Sequence, residues 1–229
     1  MNELISIVVP VFNEEATVAR VIDRLLAIEL PIAREILVVN DGSTDGTRSV
    51  LDGIPAHESL RVVHAPANGG KGLAIRIGFE QARGTIVAIQ DADLELDPAE
   101  LAALVMPILA GQTPVVYGSR FLTGSAGAPW LTFVANRFLT GLTNVLYGSR
   151  LTDMETCYKV MRTGLARALE LEASRFDIEP EITAKLLRAG HHIVELPVRF
   201  EPRSRAQGKK IGWRDGVKAI AVLLRHRRR

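Results

Sequence analysis

Three acidic residues follow an apolar run in the first half of the chain, at the point where a strand would end. The run is Thr85-Ile86-Val87-Ala88-Ile89-Gln90, and the acidic residues after it are Asp91, Asp93 and Glu95. If the extended geometry continues past the run, residues two apart project on the same face, so the three carboxylates would converge. Like charges held so close repel each other unless a cation or a proton lies between them.

The three side chains would offer a cation hard oxygen ligands. Such ligands, with room left for water and phosphate, suit Mg²⁺ or Mn²⁺ better than zinc, which prefers His and Cys. The spacing therefore predicts a magnesium or manganese site at Asp91, Asp93 and Glu95. The alternative is a solvated acidic loop ahead of a helix that begins at Pro98.

The elements that must position this site alternate along the chain. Short apolar runs and helical patterns follow one another, which indicates βαβ units and a mostly parallel sheet with helices on both faces. Strands are predicted at 4–11, 35–39, 60–64, 85–90, 115–117, 158–162 and 191–200. Helices are predicted at 14–28, 44–51, 70–82, 131–146 and 179–189, with a final helix in the tail.

In open parallel sheets, ligands bind outside the carboxyl ends of the strands. The segments that leave these ends are residues 10–15, 40–47, 91–95 and 118–120, and all four are polar or rich in glycine. We therefore expect a crevice site at this edge.

Composition sets the broad class. The chain has 229 residues, 47% of them hydrophobic, which suits a globular α/β protein with a sizeable core. Its single cysteine, Cys157, excludes an internal disulfide and is expected to be a half-buried apolar residue. The N-terminus has no signal-peptide pattern, and no apolar run reaches the 18 to 20 residues or so that span a bilayer. These features predict a cytosolic protein.

Charge is distributed unevenly. The net charge is only +2, but residues 199–229 carry eleven Lys and Arg residues against Glu201 and Asp215. The tail is therefore expected to be a basic surface that could meet phosphates, an anionic membrane or nucleic acid. Nucleic acid is the weakest of these partners, because the region offers Trp213 but no platform of aromatic side chains for bases.

Two common phosphate-binding motifs are absent. The first strand is followed by Val11-Phe12-Asn13-Glu14-Glu15, not by the Gly-x-Gly-x-x-Gly of dinucleotide-binding folds. The turn Asn68-Gly69-Gly70-Lys71-Gly72 lacks the spacing of a P-loop. Its amides and Lys71 could still meet a phosphate at a helix start, or the glycines could simply turn the chain.

Four motifs together resemble the inverting family-2 glycosyltransferases, which have the GT-A fold. They are Pro10-Val11-Phe12-Asn13-Glu14, residues 38–47 (VVNDGSTDGT), residues 68–72 (NGGKG) and Asp91-Ala92-Asp93. Residues 118–121 (GSRF), 153–159 (DMETCYK) and 202–215 resemble the branch that transfers a hexose to polyprenyl or dolichyl phosphate.

The resemblance implies a Rossmann-like, three-layer α/β/α sandwich. Residues 1–210 would form the glycosyltransferase domain, and residues 211–229 a basic amphipathic helix that packs on it or contacts a membrane. It also implies that a nucleotide-diphosphate sugar, UDP-glucose first and GDP-mannose second, is the donor. The oligomeric state is left open.

The resemblance also implies roles for single residues. Pro10, Phe12, Glu14 and Asp41 would line the nucleoside pocket, although Asp41 could instead cap the helix after it. Lys71 and residues 91–93 (Asp91, Ala92, Asp93) would complete the donor site. Asp91 and Asp93 would hold Mg²⁺ or Mn²⁺ against the diphosphate, and Glu95 stands where this branch often carries Gln. Arg120 would pair with donor or acceptor phosphate.

The acceptor decides whether a base is needed. A phosphate monoester, with a second pKa of about 6, is largely ionised at neutral pH, whereas an alcohol acceptor needs a base. A lipid phosphate would therefore need cations, and the candidates are Arg203, Arg205, Lys209, Lys210 and Lys159. Lys209 and Lys210 could instead be a solvated charge run, and Lys159 could be a structural ion pair.

Two further hypotheses follow from the same residues. A family-2 enzyme with a soluble hydroxylated acceptor would use a carboxylate base such as Glu181, which, like Glu179, flanks Pro180 at a helix start. A noncatalytic lipid-binding module would explain the basic tail but would not need the Asp91 and Asp93 pair.

The tail itself predicts a basic amphipathic helix. Trp213, Val217, Ile220 and Leu224 share one face at helical spacing, with basic residues around them. Such a helix suits the surface of an anionic bilayer, but its apolar face could equally pack on the body of the protein.

Overall fold

The computed structural model describes residues 3–122, 130–202 and 213–227. These residues form a seven-stranded sheet. Its strands are β1 (Leu4–Val11), β2 (Ala33–Asn40), β3 (Leu60–His64), β4 (Ile86–Ile89), β5 (Val115–Ser119), β6 (Lys159–Arg162) and β7 (Val194–Pro197).

The described helices alternate with these strands. They are α1 (Val18–Ala27), α2 (Thr47–Asp52), α3 (Lys71–Gln81), α4 (Leu101–Leu109), α5 (Trp130–Tyr147), α6 (Thr163–Ala168), α7 (Ile178–Arg188) and α8 (Trp213–Arg227). A 3₁₀ turn at Pro98–Glu100 leads into α4.

The sheet is mostly parallel, as the alternation of elements predicts. The strand order is β3-β2-β1-β4-β6-β5-β7, and only β6 runs antiparallel to its neighbours. The central strand β1 pairs in parallel with β2 and β4, so that Val8 lies between Leu37 and Ile89. The carboxyl ends of β1, β2 and β4 therefore meet at one edge of the sheet, with that of β5 on the far side of β6.

Side-chain alternation along the strands builds a core on each face of the sheet. On one face, Ile5, Ile7 and Val9 pack with the apolar sides of α1, α2 and α4. On the other, Val8 and strand residues of β4 and β5 pack with α3, α6 and α7. A Cβ atom at Gly78 of α3 would lie 2.2 Å from Val8, so the glycine lets this helix approach the sheet closely. The result is the α/β/α sandwich that the sequence predicts.

The antiparallel strand β6 has a direct consequence for the site edge. An antiparallel strand enters a sheet at the edge where its parallel neighbours leave it. Residues 153–158, just before β6, are thereby placed at the carboxyl ends of β4 and β5, as the pairing of Tyr117 with Lys159 shows. Reversal of one strand thus brings a second polar segment to the crevice.

Several element boundaries differ from the predicted ones. Helix α1 begins at Val18 and not at Glu14, because the amide of Glu14 donates to the Thr47 hydroxyl of the next loop. Strand β7 covers only Val194–Pro197 of the predicted 191–200. Helix α6 was not predicted.

The tail helix α8 packs on the body of the protein through one of its faces. Ala219 and Leu223 are buried against α5 and α7, and Ile220 packs at the margin of this cluster. Val217 and Leu224 are exposed, so the predicted apolar stripe is divided between the protein and the surface. The side chain of Trp213 lies outside the described residues. In the part of the chain that the structure describes, no helix combines the length and the apolar character needed to cross a membrane.

Candidate active site

The acidic segment does not continue β4. The strand ends at Ile89, a turn follows at residues 92–93, and Leu94 has a positive φ of 63°. Strand alternation therefore does not bring Asp91, Asp93 and Glu95 to one point, contrary to the prediction. Within residues 3–122, 130–202 and 213–227 there is no group of three or more His, Cys, Asp or Glu side chains arranged to hold a metal.

Within this turn, hydrogen bonds and packing fix the backbone. A side-chain oxygen of Asp93 accepts a hydrogen bond from the amide of Glu95. The side chain of Ala92 is buried in the core, so only the main chain of this predicted donor-site residue can face a ligand. At the end of β4 the buried Gln90 accepts a hydrogen bond from the Tyr158 hydroxyl at 2.5 Å and donates one to the Asp91 carbonyl.

Lys71 contacts the carboxylate of Asp91. Its Nζ lies 2.8 Å from Oδ1 and 2.9 Å from Oδ2 of Asp91, and 3.1 Å from Oε1 of Glu179. The Lys71 side chain is only 13% exposed. Burial lowers the pKa of its ammonium, but Asp91 and Glu179 raise it more, and the net pKa lies well above the ordinary value. Lys71 is therefore a permanent cation at the carboxyl end of β4.

Glu179 links this pair to the interior. Its Oε2 lies 2.6 Å from Nζ of Lys159, which is fully buried and also donates to the carbonyls of Met154 and Thr156. Lys159 is thus a structural cation, and the prediction that it binds an acceptor phosphate is wrong. Asp91, Lys71, Glu179 and Lys159 form a row of alternating charge, here called the buried charge row.

Asp41 fixes the turn that carries Lys71. Its carboxylate accepts hydrogen bonds from the amides of Gly69 (2.8 Å) and Gly70 (2.7 Å) and from the Asn68 side chain (3.0 Å). Burial raises the pKa of the Asp41 carboxyl, and the two amides offset part of that rise. The next helix begins only at Thr47, so Asp41 does not cap it. Asp41 therefore positions the start of α3 from the end of β2.

The loops after β1 and β2 are joined by hydrogen bonds. The amide of Asn13 donates to the Ser43 hydroxyl (3.0 Å), and the amide of Thr44 donates to the Asn13 side chain (2.8 Å). The Glu15 carboxylate accepts from the amide of Gly46 (2.7 Å). Half-buried Pro10, Phe12 and Glu14 lie on or beside these loops. The predicted nucleoside-pocket residues are therefore neighbours at one edge.

Arg120 follows β5 and is held by a buried carboxylate. Its Nε and Nη2 lie 2.7 and 2.9 Å from the two oxygens of Asp153, and its backbone amide donates to Asp153 as well. Its guanidinium carbon lies 5.4 Å from the ring centre of Phe121 and 5.2 Å from that of Phe200. Burial lowers the pKa of Arg120, but Asp153 raises it more, to a net value above the ordinary one. Arg120 is thus a fixed cation whose side chain is 12% exposed.

The segment before β6 also contains groups with shifted pKa values. Burial raises the pKa of the Glu155 carboxyl to about 7, although Lys159 lowers it in part. One oxygen of Glu155 is buried and accepts no hydrogen bond from the described residues. Burial and the nearby Asp91 raise the pKa of the Cys157 thiol well above its usual range. Cys157 is therefore a buried neutral thiol, more deeply buried than the half-buried apolar residue that the sequence predicts.

Glu181 does not have the surroundings of a general base. Its carboxylate accepts hydrogen bonds from the amides of Glu172 and Ala173 and lies 2.7 Å from Nζ of Lys185. Burial raises the pKa of this carboxyl, but Lys185 and the two amides lower it more, to below the ordinary value. The loop that Glu181 holds packs on the Gly70 turn, where a Cβ would lie 2.3 Å from a loop carbonyl. Glu181 is therefore a positioning residue, and the base hypothesis loses its geometric support.

Four of the predicted acceptor-binding residues, Arg203, Arg205, Lys209 and Lys210, lie outside the described residues. On the N-terminal side of these four, the nearest basic residue that the structure describes is Arg199, which is exposed. Arg199 and Arg120 line an open groove of about 500 Å³ together with Glu100, Phe200 and Glu201. A second groove, of about 380 Å³, adjoins it and reaches Glu95.

Two contacts of this site were not predicted: the contact of Glu179 with two lysines and the pairing of Arg120 with Asp153. Glu179 looks like one of two ordinary carboxylates at a helix start, and only the fold shows that it lies between two lysines. Asp153 and Arg120 are far apart in sequence, and the reversed strand β6 brings them together. The spacing of these residues along the sequence indicates neither contact.

The chain has relatives among known proteins. Residues 6–169 match the sequence profile of glycosyl transferase family 2. The glycosyltransferase AglD of Haloferax volcanii is 30% identical over 207 residues, which cover 87% of this chain but only 33% of that protein. The undecaprenyl-phosphate mannosyltransferase of Micrococcus luteus is 29% identical, and the match covers 94% of this chain and 90% of the enzyme.

The fold also has solved relatives. Glucosyl-3-phosphoglycerate synthase from Mycobacterium tuberculosis, crystallised with Mn²⁺, UDP and glucosyl-3-phosphoglycerate, superposes with a TM-score of 0.75. The two are 22% identical, and the superposition covers 98% of this chain and 80% of the synthase. This similarity establishes the GT-A-like α/β fold. With the profile match across most of its sheet, the chain belongs to glycosyl transferase family 2.

Proposed function

We propose that the protein is a metal-dependent, inverting hexosyltransferase that moves a hexose from a nucleotide-diphosphate sugar to a polyprenyl or dolichyl phosphate. The observation that carries this proposal is the charge arrangement at one edge of the sheet. Asp91 and Lys71 lie at the end of β4, and the Arg120 cation lies after β5, on the other side of the reversed strand β6. In this arrangement a departing diphosphate would bind at the end of β4 and an incoming phosphate at Arg120.

The two carboxylates at the end of β4, Asp91 and Asp93, would supply part of the ligand set of a divalent cation, and the donor diphosphate and water would supply the rest. Both oxygens of the Asp91 carboxylate already contact one cation, the ammonium of Lys71. Asp91 and Asp93 would hold Mg²⁺ or Mn²⁺, for which carboxylate oxygens are suitable ligands. When bound, the cation would stabilise the negative charge that develops on the departing diphosphate. The Mn²⁺ and UDP in the related synthase crystal support this assignment for the fold.

The loops after β1 and β2 would bind the nucleoside. Phe12 offers an apolar surface, and the hydrogen bonds of Asn13 to Ser43 and Thr44 hold the two loops together. Asp41 would act by fixing the glycine turn, because its oxygens are already used by the amides of Gly69 and Gly70. A pre-formed pocket of this kind lowers the entropic cost of binding.

The acceptor side suits a group that is already ionised. Asp153 occupies the Nε edge of the Arg120 guanidinium, so its Nη1 edge would face an anion in the groove shared with Arg199. A phosphate monoester needs no base at neutral pH, which agrees with the loss of Glu181 as a candidate base. The polyprenyl-phosphate acceptor of the Micrococcus luteus relative points the same way.

Contact with a membrane would bring the enzyme to a lipid acceptor. Helix α5 exposes Trp130, Leu131, Val134 and Phe138, which recur on one side of the helix. Val217 is exposed as well, on helix α8, which packs on α5 through other residues. Exposed apolar helix faces with basic residues nearby suit the interface of an anionic bilayer. We assign this surface to peripheral contact with the membrane that holds the lipid phosphate.

A donor and acceptor panel tests the proposal. UDP-glucose, GDP-mannose and other nucleotide sugars are incubated with a short polyprenyl phosphate and Mg²⁺ or Mn²⁺, and glycolipid and free nucleotide are measured. We expect one donor to give a β-linked glycolipid in a metal-dependent reaction. Turnover on a soluble acceptor, such as a phosphorylated hydroxy acid, with none on any lipid phosphate would contradict the assigned acceptor.

A further inference from the structure

The ammonium of Lys71 occupies the position that a metal ion would need. It lies within 2.9 Å of both oxygens of Asp91, so a divalent cation on either oxygen would have to share that oxygen with the ammonium while this contact lasts. A divalent cation beside an ammonium would also be repelled by it, because both are positive. Lys71 and the metal therefore compete for Asp91.

The contact is built into the fold. Lys71 is the first residue of α3, and the preceding turn is tied to Asp41 by the amides of Gly69 and Gly70. Gly70 has a positive φ of 94°, a conformation that favours glycine, and the loop carbonyl at Ser174 leaves no room for a Cβ there. The backbone of Lys71 is thus fixed, and only its side chain can move.

The charges of the row are balanced without a metal. The two carboxylates, Asp91 and Glu179, are matched by the two ammonium groups, Lys71 and Lys159. The charge of Glu179 is already matched by Lys159, which is fully buried beside it. The attraction of Glu179 is therefore not enough to draw Lys71 away from Asp91. A new anion near Lys71 is needed, and the diphosphate of a nucleotide sugar is such an anion.

We propose that Lys71 makes metal binding conditional on the nucleotide diphosphate. The inference rests on the proposed function and adds an order to it. Without nucleotide, the ammonium holds Asp91 and opposes the metal. When the diphosphate arrives, the ammonium transfers to phosphate oxygens, and the oxygens of Asp91 become available to the cation. Metal and donor therefore bind as a pair, and by linkage each raises the affinity for the other.

Calorimetric titration of Mn²⁺ tests the inference without any transfer reaction. Mn²⁺ is titrated into the wild-type protein and into Lys71→Met, with no nucleotide and with saturating UDP or GDP. Without nucleotide, we expect Lys71→Met to bind Mn²⁺ at least about tenfold more tightly than the wild type does. The gain is modest because solvent and salt screen the repulsion between an ammonium and a dication at a partly exposed site. With nucleotide, we expect this advantage to disappear.

Lys185→Met is the matched control. The Lys185 side chain is 15% exposed against 13% for Lys71, and it also pairs with a buried carboxylate, but that partner is Glu181 and not Asp91. The control removes the same charge at similar burial, so we expect its Mn²⁺ affinity to equal that of the wild type. Lys71→Gln provides a second neutral variant if Lys71→Met fails to give the wild-type circular dichroism and melting curve.

The two possible failures are distinguishable through Asp91→Asn. If Asp91→Asn abolishes Mn²⁺ binding but neither neutral Lys71 variant binds Mn²⁺ more tightly without nucleotide, the competition is disproved and the metal site stands. If Mn²⁺ binds equally with and without the Asp91 carboxylate, the proposed metal site is overturned. A tenfold gain that is confined to the nucleotide-free Lys71 variants supports the inference.

Discussion

The pairing of Arg120 with Asp153 gives the sharpest test of how the site is built. Changing Asp153 to Asn keeps the shape of the side chain and removes its charge. In the structure, Asp153 is fully buried and accepts three hydrogen bonds from Arg120, at 2.7, 2.9 and 3.0 Å. An asparagine in its place would turn an N–H group toward one of these donors, so at least one bond would be replaced by a repulsive contact.

The expected cost follows from burial. Removing one partner of a buried ion pair destabilises a protein by about 3 to 5 kcal/mol, because the remaining charge is left without compensation. The Arg120 side chain is 12% exposed, so some solvent reaches it, and we expect the lower end of that range, about 3 kcal/mol. Transfer should also slow in Asp153→Asn, since the guanidinium would lose the orientation that Asp153 imposes.

A double-mutant cycle measures this coupling. Urea unfolding of Asp153→Asn, Arg120→Met and the double variant should give a coupling free energy of at least about 2 kcal/mol. The matched control is the exposed pair Arg225 and Glu172, at 2.9 Å and with side chains 53% and 56% exposed, for which we expect less than about 1 kcal/mol. Equal coupling in the two pairs, or a loss below about 0.5 kcal/mol in Asp153→Asn, would refute the reasoning.

Three further predictions concern single residues. Glu181→Gln should lower the free energy of unfolding by about 2 to 4 kcal/mol, since it removes a buried charge paired with Lys185, and should keep the transfer rate within about tenfold; a rate loss of several orders of magnitude at full stability would restore the base hypothesis. Because burial raises the pKa of Glu155 to about 7, the folded protein favours the protonated carboxyl. Its contribution to stability is complete below the ordinary pKa of 4.5 and is lost as the pH rises through about 7. In urea titrations, the free energy of unfolding of Glu155→Gln should therefore rise relative to that of the wild type by about 2 to 3 kcal/mol as the pH increases from 4.5 to 8. A difference between the two proteins that stays constant with pH would contradict the assigned burial. Cys157, buried and with a raised pKa, should react with a maleimide at pH 7.5 only after unfolding, and prompt labelling of the native protein would show that the segment before β6 is open.

Much of the fold follows from local pattern. The strands at 4–11 and 60–64 were predicted with the bounds that the structure has. Helix α6, which has six residues, was not predicted. Helix α1 begins later than predicted because the loop before it is bonded to another loop, which is a tertiary contact that no local pattern contains.

The site was predictable in location but not in pairing. The carboxyl ends of parallel strands identify Asp91 and Arg120 as neighbours of one crevice, and Lys71 was assigned to it only through the resemblance of residues 68–72. The extended geometry does not continue past Gln90, because a turn follows at residues 92–93 and Leu94 has a positive φ. Lys159 was assigned to a phosphate because a lipid phosphate needs cations and Lys159 stands in the segment 153–159 that resembles the family, whereas the structure shows it fully buried beside Glu179. Long-range ion pairs of this kind depend on the packing of the whole fold.

Glycolipid formation by Asp93→Asn tests the central claim most directly. The assay measures transfer from the preferred nucleotide sugar to a short polyprenyl phosphate, with Mn²⁺ titrated into metal-free wild-type protein and into the variant. The wild type should depend on Mn²⁺, and Asp93→Asn should lose at least about a thousandfold in rate, since it would lack a carboxylate that holds the cation on the leaving diphosphate. Full wild-type activity in the presence of a chelator, or an Asp93→Asn rate equal to that of the wild type, would contradict the account.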